Sequence, residues 1–297
     1  MTEQERRVVM DLLRSGPDMS QMSLDEVRAI VDQGGAVAKL PENVELESIT
    51  IGGVAAEWSS TPQADDAAVL LYLHGGGYLF GSLLSHRGLV TNLGALAGVR
   101  TLAVEYRLAP EHKFPSAFED ALASYQYLLD QGNDPAHIAV GGDSAGGGLT
   151  IALLLAVRDA GLPLPGAALC ISPWVDLTLE GASIQTKEKM DAIVSGTVLS
   201  HAVEAYLADT DDPLDPRASP LFGDLSGLPP VMIQVGSHEV VLDDATRLAT
   251  RLAAADVGVR LDVWASMPHV WHLYAEMLGE GRQALEQAAD FLRERIR

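Results

Sequence analysis

From residue 67 onward the chain alternates between two kinds of apolar pattern. Short continuous apolar runs at 67–73, 100–105, 138–140, 167–173, 230–235 and 260–265 have the length and composition of buried strands. Between them lie stretches whose apolar positions fall at helical spacing, which predict helices near 87–96, over 117–130, 145–158 and 245–255, and in a closing segment that reaches Arg295. Strands apolar on both faces and separated by helices imply a mostly parallel sheet with helices on both sides, an α/β fold.

Two regions stand outside that rhythm. Residues 44–51 and 54–58 alternate in the manner of antiparallel strands around a Gly52-Gly53 turn. Before them, Ser23-Leu-Asp-Glu26 is a capping box ahead of Val27, Ile30 and Val31, and Gly34-Gly35 is expected to end the helix it starts. A long excursion opens at Trp174 and returns to strand only at Pro230. Within it Val198, Leu199, Ala202, Val203, Tyr206 and Leu207 recur at helical spacing, and the Asp209-Thr-Asp-Asp-Pro213 cluster stops that helix. Insertions of this length form lids. The expected organisation is one α/β domain of residues 46–180 and 217–297, with a helical cap built from 1–45 and the inserted 181–216.

One strand-to-helix junction carries chemistry. The run Ile138 to Val140 leads through Gly142-Asp143-Ser144-Ala145-Gly146 into a helix, so Ser144 lies at a sharp turn with helix N-terminal amides aimed at it. A serine held at so tight a bend crowds the residues two away on either side, and glycine fits both places. Gly147 and Gly148 weaken the helix they open and are expected to be there for close packing against the sheet. A phosphate-cradling loop is disfavoured: no Lys-Ser or Lys-Thr pair follows, and the G-x-G-x-x-G spacing is absent.

Composition then removes whole classes. The 297 residues, 47% of them hydrophobic, suffice for one large core, and no apolar run approaches the roughly 20 residues that span a bilayer. The N-terminal Met1-Thr-Glu-Gln-Glu-Arg-Arg7 lacks the apolar stretch of a secretory signal. A net charge of −21 argues against nucleic acid and anionic membranes as partners. The single Cys170 can form no internal disulfide, which suits a cytoplasmic protein, and its apolar neighbours make it a core residue.

A serine hydroxyl needs a base to take its proton and an acid to orient that base, here in the chain order Ser, acid, His. His269 follows the last strand directly and is the expected base, with His272, one helical turn on, as its rival. Glu239 is the first carboxylate after the strand at 230–235, with Asp243 and Asp244 as the alternatives. His74-Gly-Gly-Gly77 ends an earlier strand; the amides of Gly75 and Gly76, with that of Ala145, are expected to form an oxyanion hole, Gly77 shaping the turn and His74 supporting it. Tyr78, Trp174 and Tyr206 are candidate pocket walls.

His74-Gly-Gly-Gly77, Tyr106-Arg-Leu-Ala-Pro-Glu111, Gly142-Asp-Ser-Ala-Gly-Gly147 and Pro268-His269 together resemble the hormone-sensitive-lipase-type branch of the α/β-hydrolases, the bacterial carboxylesterases of the G-D-S-A-G-G subgroup. The likeness runs from about Leu70 to His272. It implies a serine carboxylesterase that hydrolyses short-chain acyl esters through an acyl-enzyme, with no cofactor and no metal, beneath a cap made partly of the N-terminus, and it leaves a homodimer open. The branch usually carries Asp-Pro-Leu at the acid position, where this chain has Glu239-Val-Val241. Arg107 and Glu111 are expected to hold the loop behind the oxyanion turn, and Asp143 to hydrogen-bond locally. The alternative is a non-catalytic small-molecule receptor on the same fold; plant gibberellin receptors resemble this family but have lost the histidine, which is present here.

Overall fold

A computed structural model describes residues 3–17, 21–208 and 210–297. Eight strands form one sheet: β1 (Glu45–Ile51), β2 (Val54–Ser60), β3 (Asp65–Leu73), β4 (Val99–Val104), β5 (Ile138–Asp143), β6 (Ala167–Ile171), β7 (Val231–Gly236) and β8 (Val259–Trp264). Their order is β1-β2-β4-β3-β5-β6-β7-β8. The β1–β2 hairpin and the β2–β4 pair are antiparallel, and every other pairing is parallel. Gly52 and Gly53 make the hairpin turn with positive φ of 58° and 91°, which glycine adopts without steric cost.

The helices are α1 (Glu3–Ser15), α2 (Leu24–Ala36), α3 (Leu83–Ala97), α4 (Ser116–Asp130), α5 (Ala145–Asp159), α6 (Ser183–Thr186), α7 (Gly196–Tyr206), α8 (Leu242–Ala254) and α9 (Gly279–Ile296). Side chains alternate across β3 with period two. Leu70 and Tyr72 meet α3 and α9 on one face, while Val69, Leu71 and Leu73 meet α4 and α5 on the other, where α8 also lies. Helix α5 is apolar nearly all round and buried from Ala145 to Leu155, as its place at the centre of the molecule requires.

One sequence expectation changes here. The capping box at Ser23 does start α2, but Gly34 and Gly35 lie inside that helix rather than after it. The reason is packing: a Cβ on Gly35 would collide with the backbone of Leu84 and Ser85, so this glycine lets α2 lie against α3. The helix expected after Trp174 is α7; Asp209, in the cluster read as its stop, lies outside the described residues.

The strand order places the site. After β3 the chain adds β4 on one side, then crosses to add β5 on the other, so the crevice beyond the C-terminal ends of β3 and β5 is a topological switch point, where ligands bind in open α/β sheets. The turn after β3 and the serine after β5 both open into it. Helices α2 and α7 both reach that turn, α2 through Arg28 on the Leu79 carbonyl and α7 through Ala202 against Gly77.

Candidate active site

Ser144 joins β5 to α5 with φ 52° and ψ −120°, a strained conformation that the surroundings hold from both sides. Its N–H donates to Ile171 O at 2.9 Å, and its carbonyl accepts from Trp174 N at 3.0 Å and Gly148 N at 3.1 Å. A Cβ on Gly142 would strike the Leu73 and Gly146 carbonyls, and one on Gly146 would strike those of Leu73 and His74. The flanking glycines are therefore sterically required. Gly147 and Gly148 lie against Pro173 and Trp174, the segment leaving β6.

The structure brings Ser144, His269 and Glu239 into one hydrogen-bonded line. The Ser144 hydroxyl donates to His269 Nε2 at 2.8 Å, and His269 Nδ1–H donates to Glu239 Oε2 at 2.8 Å. Three loops, after β5, β7 and β8, meet at this point. The other oxygen, Glu239 Oε1, accepts from the Ser172 hydroxyl at 2.8 Å and from the Gly236 N–H. Ser172 in turn accepts from Val270 N at 3.1 Å, so one hydroxyl fastens the acid loop to the histidine loop. This bracing fixes where the longer glutamate puts its carboxylate.

Burial opposes every charge in this line. At His269 it lowers the imidazole pKa, but the hydrogen bond and charge of Glu239 outweigh it, so the ring sits above its ordinary 6.5. At Glu239 burial is the larger effect and raises the carboxyl, with His269 pulling it down. The acid is fully buried and the serine 8% exposed.

The rival residues have other partners. His272 Nε2–H donates to Gln234 Oε1 at 2.9 Å, and Gln234 donates to Ala284 O, which makes His272 a core histidine; burial lowers its pKa to about 3. Asp243 accepts from Ser183 N, and Asp244 accepts from the N–H groups of Val175 and Asp176. Neither aspartate meets a histidine.

The oxyanion turn departs from expectation at Gly75. Its N–H already donates to Asp143 Oδ1 at 3.1 Å, and a Cβ there would collide with that carboxylate, so Gly75 is an anchor and its amide is spent. No acceptor among the described residues takes the N–H of Gly76, Gly77 or Ala145. Gly76, Gly77 and Tyr78 have successive positive φ of 117°, 62° and 63°, and Leu79 and Phe80 both donate back to Gly76 O. His74 is structural: its Nδ1–H donates to Gly75 O at 2.8 Å, and its ring stacks on Tyr106 at 4.2 Å.

Asp143 also differs from its expected local role. Besides Gly75 N it accepts from Tyr72 OH at 2.9 Å and His86 Nε2 at 3.2 Å, partners far away in sequence. Arg107 binds Asp120 at the start of α4, whereas Glu111 pairs with Arg28 of α2. Tyr78, Trp174 and Tyr206, the candidate pocket walls, are each 1% exposed or less, and Tyr78 stacks on Tyr206 at 3.9 Å.

Sequence reasoning missed Ser172 and Arg28. Ser172 follows β6 immediately, and the parallel pairing Ile171↔Gln234 carries it toward the loop after β7; a serine just past a strand end was the available signal. Arg28 lies on a helix outside the sheet pattern and carries no such signal. Among the described residues, no group of three or more His, Cys, Asp or Glu could hold a metal ion, and no helix is long and apolar enough to cross a membrane.

A family model described as the alpha/beta hydrolase fold matches residues 70–273. An acetyl-hydrolase of Streptomyces hygroscopicus is 51% identical over 245 residues, 82% of this chain and 81% of its own. An esterase of Acinetobacter venetianus is 35% identical over 93% of this chain and 90% of its own. The crystal structure of an esterase from the bacterial hormone-sensitive lipase family superposes with a TM-score of 0.95 at 42% identity, covering all of both chains. With the sheet, the serine turn and these relatives in agreement, the chain belongs to the α/β-hydrolase family, in its hormone-sensitive-lipase-type branch of carboxylic ester hydrolases.

Proposed function

We propose that this chain hydrolyses short-chain carboxylic esters through an acyl-enzyme formed on Ser144. The observation that carries the reading is the unbroken line from Ser144 Oγ to His269 to Glu239, two hydrogen bonds of 2.8 Å each. His269 Nε2 takes the hydroxyl proton as Ser144 attacks the ester carbonyl, and returns it to the departing alkoxide. Glu239 holds Nδ1 protonated and stabilises the imidazolium that forms. Water then repeats the sequence on the acyl-enzyme, releasing the acid.

Charge gathers on the former carbonyl oxygen in both halves. We assign its stabilisation to the N–H groups of Gly76, Gly77 and Ala145, which have no protein acceptor among the described residues, while Gly75 is committed to Asp143. Each donor is worth about 3 kcal/mol in the transition state. The preference for small acyl groups is supported by the name of the Streptomyces relative, an acetyl-hydrolase. Helices α1 and α2, with residues 181–216, form the cap in this reading, and Cys170, alone and fully buried, suits a cytoplasmic setting.

The test is turnover of p-nitrophenyl acetate by the wild type and by Ser144→Ala. The substitution is expected to abolish turnover above the buffer rate; equal rates in the two proteins would end this reading.

A further inference from the structure

Tyr78, a non-glycine residue held at a positive φ of 63°, makes the turn after β3 costly to hold, and the turn's own hydrogen bonds are two donations to a single carbonyl, Gly76 O. Something outside the turn must fix it. We propose that Arg28, on cap helix α2, is a positioning residue for the oxyanion hole, acting through the Leu79 carbonyl.

The guanidinium is spread over three points of this region. Nε–H donates to Leu79 O at 2.8 Å, Nη2–H to Ala109 O at 3.0 Å, and Nη1 and Nη2 grip Glu111 at 2.7 and 2.8 Å. Leu79 closes the turn by donating to Gly76 O, and Ala109 N–H donates to Tyr78 O at 2.9 Å. Arg28 therefore holds the turn directly at Leu79 and indirectly through the loop that meets it at Tyr78. One helical turn further along α2, Asp32 accepts from the Ser82 hydroxyl at 2.5 Å, gripping the same segment beyond the turn. Gly76 and Gly77, the amides assigned to the oxyanion, lie between β3 and this grip. Lysine cannot replace the arrangement, because one ammonium cannot present a planar fork to two carbonyls and a carboxylate at once.

This inference rests on the hydrolase reading and deepens it. Its test compares wild type, Arg28→Lys, Arg28→Gln and Glu111→Gln, with rates counted per reactive serine titrated by a p-nitrophenyl phosphonate. Displaced oxyanion donors lower kcat per site by about tenfold to a hundredfold in both Arg28 variants, with KM little changed. The Ki of a trifluoromethyl ketone, whose adduct carries the oxyanion, rises by a similar factor. Partial unfolding alone would lower the titre and leave that Ki where it was. Glu111→Gln, which loses only a half-exposed ion pair, stays within about threefold of wild type.

Unchanged kcat per site and unchanged Ki in the Arg28 variants would overturn the proposal, as would a full loss in Glu111→Gln. Should Arg28→Gln fail to accumulate as folded protein, Arg28→Lys carries the same comparison. Ser144→Ala, run alongside, separates the two levels. Turnover surviving there overturns the hydrolase reading and this inference with it, whereas an inactive Ser144→Ala beside wild-type Arg28 variants overturns this inference alone.

Discussion

Glu239 is the residue on which the account is most exposed, because it stands where relatives of this branch usually carry aspartate. The extra methylene is absorbed by anchoring its second oxygen: Ser172 and Gly236 hold Oε1, leaving Oε2 on His269. Removing the charge while keeping the shape, Glu239→Gln, is expected to cut kcat on the order of 10⁴-fold, since the imidazole loses its tautomer and its counter-charge together. Asp243→Asn and Asp244→Asn, whose partners lie elsewhere, are expected to keep far more activity. The pH profile gives an independent reading. Only neutral His269 accepts the serine proton, and Glu239 raises its pKa, so activity is present above that pKa and falls as pH drops through it, with the acid limb above 6.5. In Glu239→Gln burial acts without its largest counterweight and the limb moves to lower pH. Profiles of kcat/KM from pH 5 to 9 check this; an unmoved limb would contradict the assignment. Ser144 was readable because it follows β5 at once, and His269 because it lies in the short turn that leaves the last strand. Gly75 was not, since its amide is claimed by Asp143, a residue brought near only when β3 pairs with β5.

At the scale of elements, the glycines of α2 separate what local pattern shows from what it hides. A Gly-Gly pair reads as a helix end, and the helix runs through both because packing against α3 outweighs the local preference. The two positions predict opposite responses. A Cβ at Gly34 would meet nothing within 4 Å, so Gly34→Ala is expected to stabilise the protein by about 0.5–1 kcal/mol. Gly35 faces the Ser85 backbone, so Gly35→Ala is expected to cost about 1–3 kcal/mol through overpacking. It should also lower activity, because it pushes Arg28's helix away from the turn. Urea midpoints of the two variants check the sign; equal shifts would contradict the packing. The strands, helices α3, α4, α5, α7 and α8, and the end of α9 were legible within a few residues because their apolar positions keep the strand or helix period, whereas α6 is too short to show one. The contacts of α2 were not, as a capping box and an amphipathic face fix a helix without saying what it grips.

For the whole molecule, the sheet order decides why residues so far apart in sequence work together. Crossing from β4 back over β3 to β5 opens one crevice, and the loops after β3, β5, β7 and β8 deliver amides, hydroxyl, carboxylate and imidazole to it. Chain order of the motifs foretold that convergence; the supports around it, Ser172, Asp143 and Arg28, come from pairings that no local stretch displays. In the proposed function this convergence makes Ser144 a nucleophile. Brief exposure to a p-nitrophenyl phosphonate, followed by peptide mass mapping, tests it most directly. A single adduct is expected, on Ser144, forming in step with loss of esterase activity; an adduct on another residue, or lost activity with Ser144 unmodified, would contradict it.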